Sequence, residues 1–149
     1  MTFSDDPGSF AFACDDAKLS IVASTWNTKL SQLARMPGPL LVMTRLLPNL
    51  DYIGRIVGKR PKDIYILAST EAEADARKLK AQFPAVRIAL HREIIAKAVF
   101  LGPETVWIGS ADFGESKLIE SAIGLHSETV FNRPSPHFFN PTWATAREI

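Results

Sequence analysis

Lys97 and Ser110 are the residues of this sequence whose types suit the handling of an anion. An ammonium and a hydroxyl converging on one pocket hold a phosphate, sulfate or carboxylate by charge-assisted hydrogen bonds. Cleaving a phosphodiester asks for more. It needs a nucleophile, or a base that activates one, and an acid that protonates the leaving group, and imidazole can serve in these roles. Three histidines are available, His91, His126 and His137. His91 and His126 are the catalytic candidates, and His126 is the better placed because it ends a strand-like run close to Glu120. A plain surface or partly packed histidine is the commoner explanation of all three. Ordinary explanations exist for the rest as well. Lys97 can be a strand lysine with its stem on apolar surface, and Gly109 a glycine where a strand leaves the sheet. Asp112 can cap a helix, completed by Glu115 three residues on.

From Ile95 to Asp112 the sequence reads IAKAVFLGPETVWIGSAD. This resembles the phospholipase D signature: His-x-Lys, four residues, Asp, six residues, then Gly-Ser-x-Asn. Lys97, Gly109 and Ser110 match at the family spacing, while Ile95 stands in the His position, Gly102 in the Asp position and Asp112 in the Asn position. Glu120 resembles an acidic residue found downstream in small nucleases of that family.

The resemblance implies a phospholipase D-like half, with Lys97, Ser110, Asp112 and Glu120 around an anion. It also implies chemistry through a phosphohistidine, with a second His as acid, and no metal or other cofactor. Short members of the family complete their site by homodimerisation. Isoleucine has neither lone pair nor titratable proton, so Ile95 takes no part in such a reaction, and a homodimer would lack the group in both halves. The resemblance therefore points to a catalytically degenerate homodimer. It would bind nucleic acid, a phosphate-bearing ligand or a protein partner without hydrolysis. Two alternatives stay open: an active metal-independent phosphodiesterase or nuclease using a non-standard histidine, and a purely structural protein-interaction subunit.

The elements that must position these residues follow from the hydrophobic pattern. Strands are expected at 18–24, 40–47, 64–68, 86–90, 94–101, 105–109 and 122–126, with a Gly-Pro turn at Gly102 and Pro103. Between them, Asn27 is expected to cap a helix bearing Leu30, Leu33 and Ala34, and Leu50, Ile53 and Val57 recur at helical spacing. Thr70 and Glu73 form a capping box before a helix whose Ala72, Ala76, Leu79 and Phe83 share a face. This alternation predicts an α/β fold, a mixed and mostly parallel sheet with helices on both faces. Residues 1–149 are read as one domain, with an irregular tail from Arg133 onward.

Composition narrows the classes of function. The 149 residues are 46% hydrophobic and 22% charged, ordinary for a globular chain. A net charge of +1 lacks the strong basic excess of a dedicated nucleic-acid binder, so such binding would need a local patch. Two basic clusters qualify: Arg55, Lys59, Arg60 and Lys62, and Arg77, Lys78 and Lys80. No apolar run approaches the roughly 20 residues that span a bilayer, and no membrane partner is expected. The acidic opening MTFSDDPGSF is unlike a secretory signal, and the lone Cys14 forms no internal disulfide. A cytoplasmic location is expected.

Overall fold

The computed structural model describes residues 2–23 and 25–149. Its eight strands are β1 (Ala17–Ala23), β2 (Leu40–Thr44), β3 (Ile64–Ser69), β4 (Arg87–His91), β5 (Ala98–Leu101), β6 (Thr105–Gly109), β7 (Ile119–His126) and β8 (Arg147–Glu148). They form one sheet in the order β1-β7-β6-β5-β2-β3-β4-β8. The sheet is mixed as expected. The pairs β2–β3 and β3–β4 are parallel and the other five pairings antiparallel, so the parallel share is smaller than the alternating pattern suggested.

Helices cover both faces. On one lie α1 (Trp26–Lys29), α2 (Leu50–Val57) and α3 (Glu73–Gln82), which close a core with Leu40, Val42 and Phe113. On the other lie α4 (Glu128–Asn132), a π-helical turn (Ser135–Phe139) and α5 (Asn140–Ala144), packed with Leu41, Met43 and Phe100. All five residues of β2 are buried, as an apolar run sandwiched between two layers must be. The second layer reaches over Val106 of β6 and Leu125 of β7 and stops there. Beyond it, Ile108 of β6, Ile123 of β7 and Leu19 of β1 lie in register on one open face, all exposed.

Several expected boundaries move, for identifiable reasons. The first helix lasts one turn, and Asn27 lies within it rather than capping it. Leu30 and Leu33 are still buried, in the turns that follow, whereas Ala34 is exposed. The last residue of the first expected strand, Ser24, lies outside the described residues. Ser69, not Thr70, starts the third helical segment, accepting a hydrogen bond from the Glu71 N–H at the head of a 3₁₀ turn. The expected strand from Ile94 begins only at Ala98, so Ile95 and Lys97 sit in an irregular crossover leaving β4.

The tail departs most from the expected irregularity. Pro134 and Pro141 stand at helix starts, where a missing N–H costs nothing. Phe139 is buried, and Trp143 meets Tyr65 edge-on at 5.9 Å. Arg87 lies over both rings and donates to Glu148 at 2.7 and 2.8 Å, pinning β8 to β4. Those bonds hold the Glu148 carboxyl below its ordinary 4.5, and bonds from Arg147 and Arg77 do the same for Glu73. Groups with depressed folded values stabilise above their unfolded value and lose that contribution as pH falls through the folded one. Trp143 fluorescence should therefore report a docked tail at pH 6 that loosens below about pH 4. Glu148→Gln should loosen it at pH 6 and flatten the acid response.

Candidate functional site

The C-terminal ends of β2, β3, β4 and β6 meet the N-terminal ends of β5 and β7 at one end of the sheet. In α/β proteins this is the end where ligands gather. Lys97 enters β5 there and Ser110 leaves β6, the two segments tied by a Gly109 N–H donating to the Lys97 carbonyl at 3.2 Å. The spacing in the sequence thus brings Lys97, Ser110, Asp112 and Glu120 together.

Their hydrogen bonds, however, are made to one another. The Lys97 ammonium donates to the Ser110 carbonyl at 3.1 Å and lies 3.6 Å from Asp112 Oδ2. The Ser110 hydroxyl donates to a Glu120 carboxylate oxygen and accepts from the Ser121 N–H at 3.0 Å. Glu120 also accepts from Ser116 at 3.1 Å. Asp112 caps no helix. Its Oδ1 accepts from the backbone N–H groups of Arg45 and Leu46 at 3.0 and 3.1 Å, with the Thr44 hydroxyl 3.1 Å away. Thr44, fully buried, accepts in turn from the Phe113 N–H at 2.9 Å, and its hydroxyl lies 2.7 Å from the Leu46 carbonyl. Trp26 donates to the Asp112 carbonyl at 3.1 Å. A phosphate approaching here meets two carboxylates already seated on the ammonium and the hydroxyl it would use.

The histidines do not join this cluster. His91 lies at the same sheet end but three strand positions from β5, about 14 Å at ordinary strand spacing. Its Nδ1 accepts from the Glu93 N–H at 3.1 Å, which leaves Nε2 to donate to Thr145 at 3.2 Å. His126 corrects the expectation that it lies near Glu120. β7 begins at Ile119, so His126 ends the strand six residues away from Glu120, about 20 Å off. It faces Asp16 at 3.1 Å. His137 packs edge-on against Phe138 in the tail. Ile95 reaches the site's rim but is 73% exposed. Gly102 lies at the opposite end of the β5–β6 hairpin, against Gly38, where a Cβ would meet backbone at 3.0 Å.

The basic clusters are largely engaged by the fold itself. Arg60 donates to the carbonyls of Met36 and Gly38, Lys59 to Asn27 at 2.6 Å, Arg77 to Glu73 at 2.9 Å and Lys80 to the Val86 carbonyl at 2.7 Å. Arg55 lies over the Tyr52 ring at 5.9 Å.

Beside Lys97, and unanticipated from sequence, opens a groove of ≈ 730 Å³ on the partly covered face. It is lined by Phe10, Phe12 and Phe138 from the N-terminal segment and the tail, and by Met43, Phe100 and Ile108 from the sheet. Phe10 stacks on Phe138 at 5.9 Å beneath the Arg133 guanidinium, which also reaches Asp5 at 3.4 Å. The groove residues come from four segments far apart in the chain, and nothing in their local spacing marks them.

No protein-family model and no curated protein matches the sequence. Solved structures do match. Nuc from Salmonella typhimurium, a phospholipase D family member, aligns with a TM-score of 0.70 and 16% identity, covering 90% of this chain and 99% of that one. NucT from Helicobacter pylori aligns at 0.68 with 12% identity over 90% of this chain and 100% of that one. TrmBL2, an archaeal chromatin protein that binds DNA, aligns at 0.65 with 13% identity over 89% of this chain and 54% of its own. No helix among the described residues is long and apolar enough to cross a membrane. The mixed eight-stranded sheet, its helical layers and these alignments together give this chain a phospholipase D-like fold.

Proposed function

We propose that this chain binds rather than hydrolyses, as a homodimer whose interface is the open apolar face beside the degenerate motif. The loss of hydrolysis is carried by one observation. Where the signature asks for histidine stands Ile95, and no imidazole lies within reach of Lys97 and Ser110. The remaining groups give positioning without a reactive centre.

A protein surface is better supported than an anionic ligand. Lys97 is countered by Asp112, Ser110 is engaged by Glu120, and the basic clusters bond within the fold. By contrast, Leu19, Ile21, Ile108, Ile119 and Ile123 leave apolar side chains on water. A contiguous patch of this kind marks an interaction site. Its position next to Ile95 and Gly109 suits the resemblance, in which two halves meet at the motif.

The test pairs an activity assay with a mass measurement. Plasmid DNA, RNA and bis(p-nitrophenyl) phosphate are incubated with wild type and Lys97→Ala in the presence of a chelator, and no turnover is expected in either. Cleavage that vanishes in Lys97→Ala would establish an active phosphodiesterase and sink the binding-only reading. Light scattering should give a dimer for wild type, with association weakened at least about tenfold by Ile123→Glu, which sets a charge in an apolar contact. A monomeric wild type at tens of micromolar removes the homodimer.

A further inference from the structure

We propose that the groove lined by the sheet, the N-terminal segment and the tail is a binding site for an uncharged, largely hydrocarbon small molecule. Its volume of ≈ 730 Å³ falls within the range of small-molecule sites, and such sites are apolar with a few convergent polar groups. Here the apolar lining includes Phe10, Phe12, Met43, Phe100, Ile108 and Phe138, and the polar side chains are those of Ser9 and, at the end near the motif, Lys97 and Ser110.

Charge selects the class of occupant. Lys97 is the groove's single charged lining residue among the described residues, and the Asp112 carboxylate lies 3.6 Å from its ammonium. Ser110 already donates to Glu120. An anionic head group entering that end gains no uncompensated cation and meets two carboxylates, while a cationic head finds its counter-charge bonded to Lys97 and to backbone. An uncharged ligand suffers neither penalty, and its hydrocarbon gains by leaving water.

The groove shares Ile108 with the proposed dimer face and extends away from it. Leu19, Ile21, Ile119 and Ile123 are not among the groove's lining residues, whereas Phe100, Val130 and Phe138 line it beyond that face. The inference does not depend on the dimer.

The test uses two fluorescent probes that share a skeleton. N-phenyl-1-naphthylamine is uncharged, and 8-anilino-1-naphthalenesulfonate carries an added sulfonate. The whole chain is expected to bind the uncharged probe saturably, one per chain, and the sulfonate about tenfold more weakly. Ile108→Arg, at an exposed lining position, and Ala96→Trp, at an exposed rim position off the dimer face, should each weaken the uncharged probe at least about tenfold. Melting curves should stay near that of wild type for both. Asp112→Asn keeps the Oδ1 acceptor and removes the charge, so it should tighten the sulfonate about tenfold and leave the uncharged probe unchanged.

Three results would overturn the proposal. One is uncharged-probe binding indifferent to both groove variants. Another is a sulfonate bound as tightly as the uncharged probe by wild type. The third is probe binding that emerges only when an oligomer is diluted, because a second copy would then fill the groove. A monomeric protein that still binds the probe would remove the dimer and leave this site standing.

Discussion

Asp112→Ala should lower stability by about 2–3 kcal/mol, and Asp112→Asn by less than about 1 kcal/mol. The difference comes from what the carboxylate holds. β2 stops at Thr44 because the chain turns there, and the turn leaves the N–H groups of Arg45 and Leu46 directed at Asp112 Oδ1. Hydrogen bonds to a charged acceptor contribute about 1.5–3 kcal/mol each when buried. Arg45 and Leu46 are exposed, so water recovers part of that loss in the alanine variant, and the sum stays well below two full bonds. Asparagine presents the same Oδ1 to the same donors. Urea unfolding of the three proteins separates the cases, and alanine should also lower the melting temperature by roughly 5–10 °C. Equal losses in the two variants would show that charge, and hence the 3.6 Å contact with Lys97, matters more than the acceptor.

The comparison bears on what kind of site this is. A residue that both ends a strand turn and counters Lys97 couples the fold to the electrostatics of the pocket. In an anion site the lysine's counter-ion arrives with the ligand; here the chain supplies it. The same holds for Ser110, whose hydroxyl is engaged by Glu120 at the start of β7. The isoleucine at position 95 and the internal pairing of Lys97 and Ser110 are thus separate features, and either can be altered by substitution without the other.

Some of this was legible in the sequence. β6 falls where its alternation and flanking turn place it, and α2 and α3 bury the residues whose spacing marked them, Ile53, Val57, Ala76 and Leu79. The approach of Lys97 to Ser110 follows from a hairpin with its turn at Gly102 and Pro103. What escaped depends on partners remote in the chain. Asp112 is fixed by backbone 66 and 67 residues earlier, so no local pattern distinguishes it from a cap. His126 looked near Glu120 because the start of β7 is too polar to read as strand, and an extended chain turns six residues into a long separation. The tail's prolines signalled irregularity. Its aromatic side chains nevertheless find the uncovered face of β3 and β4, and tertiary burial prevails over local propensity.

Gly114→Ala should be as damaging as any single methyl group in this protein, at about 3 kcal/mol, the upper end of the usual overpacking range. The cause is space, not handedness, since no described glycine has a positive φ. A Cβ on Gly114 would fall 2.1 Å from the Pro48 carbonyl oxygen and 2.7 and 2.8 Å from its ring carbons. These atoms are rigid, and Pro48 cannot retreat without moving Asn49, whose side chain caps α2 through the Tyr52 N–H and also bonds Glu115. The loop must therefore lift away from the β2–α2 connection, breaking the Glu115 N–H donation to Pro48 at 3.3 Å. Gly8→Ala is the matched control, because its Cβ meets nothing closer than Asp6 at 3.9 Å, and its effect should stay within about 0.5 kcal/mol. Lifting this loop also displaces Asp112 from Lys97. Gly114→Ala should therefore gain affinity for the anionic naphthalene sulfonate probe while losing stability, whereas a core-cavity variant such as Leu79→Ala, remote from that contact, should lose stability alone. If Gly114→Ala and Leu79→Ala behave alike toward the probe, the loop does not carry the counter-ion, and the neutrality of the pocket must have another source.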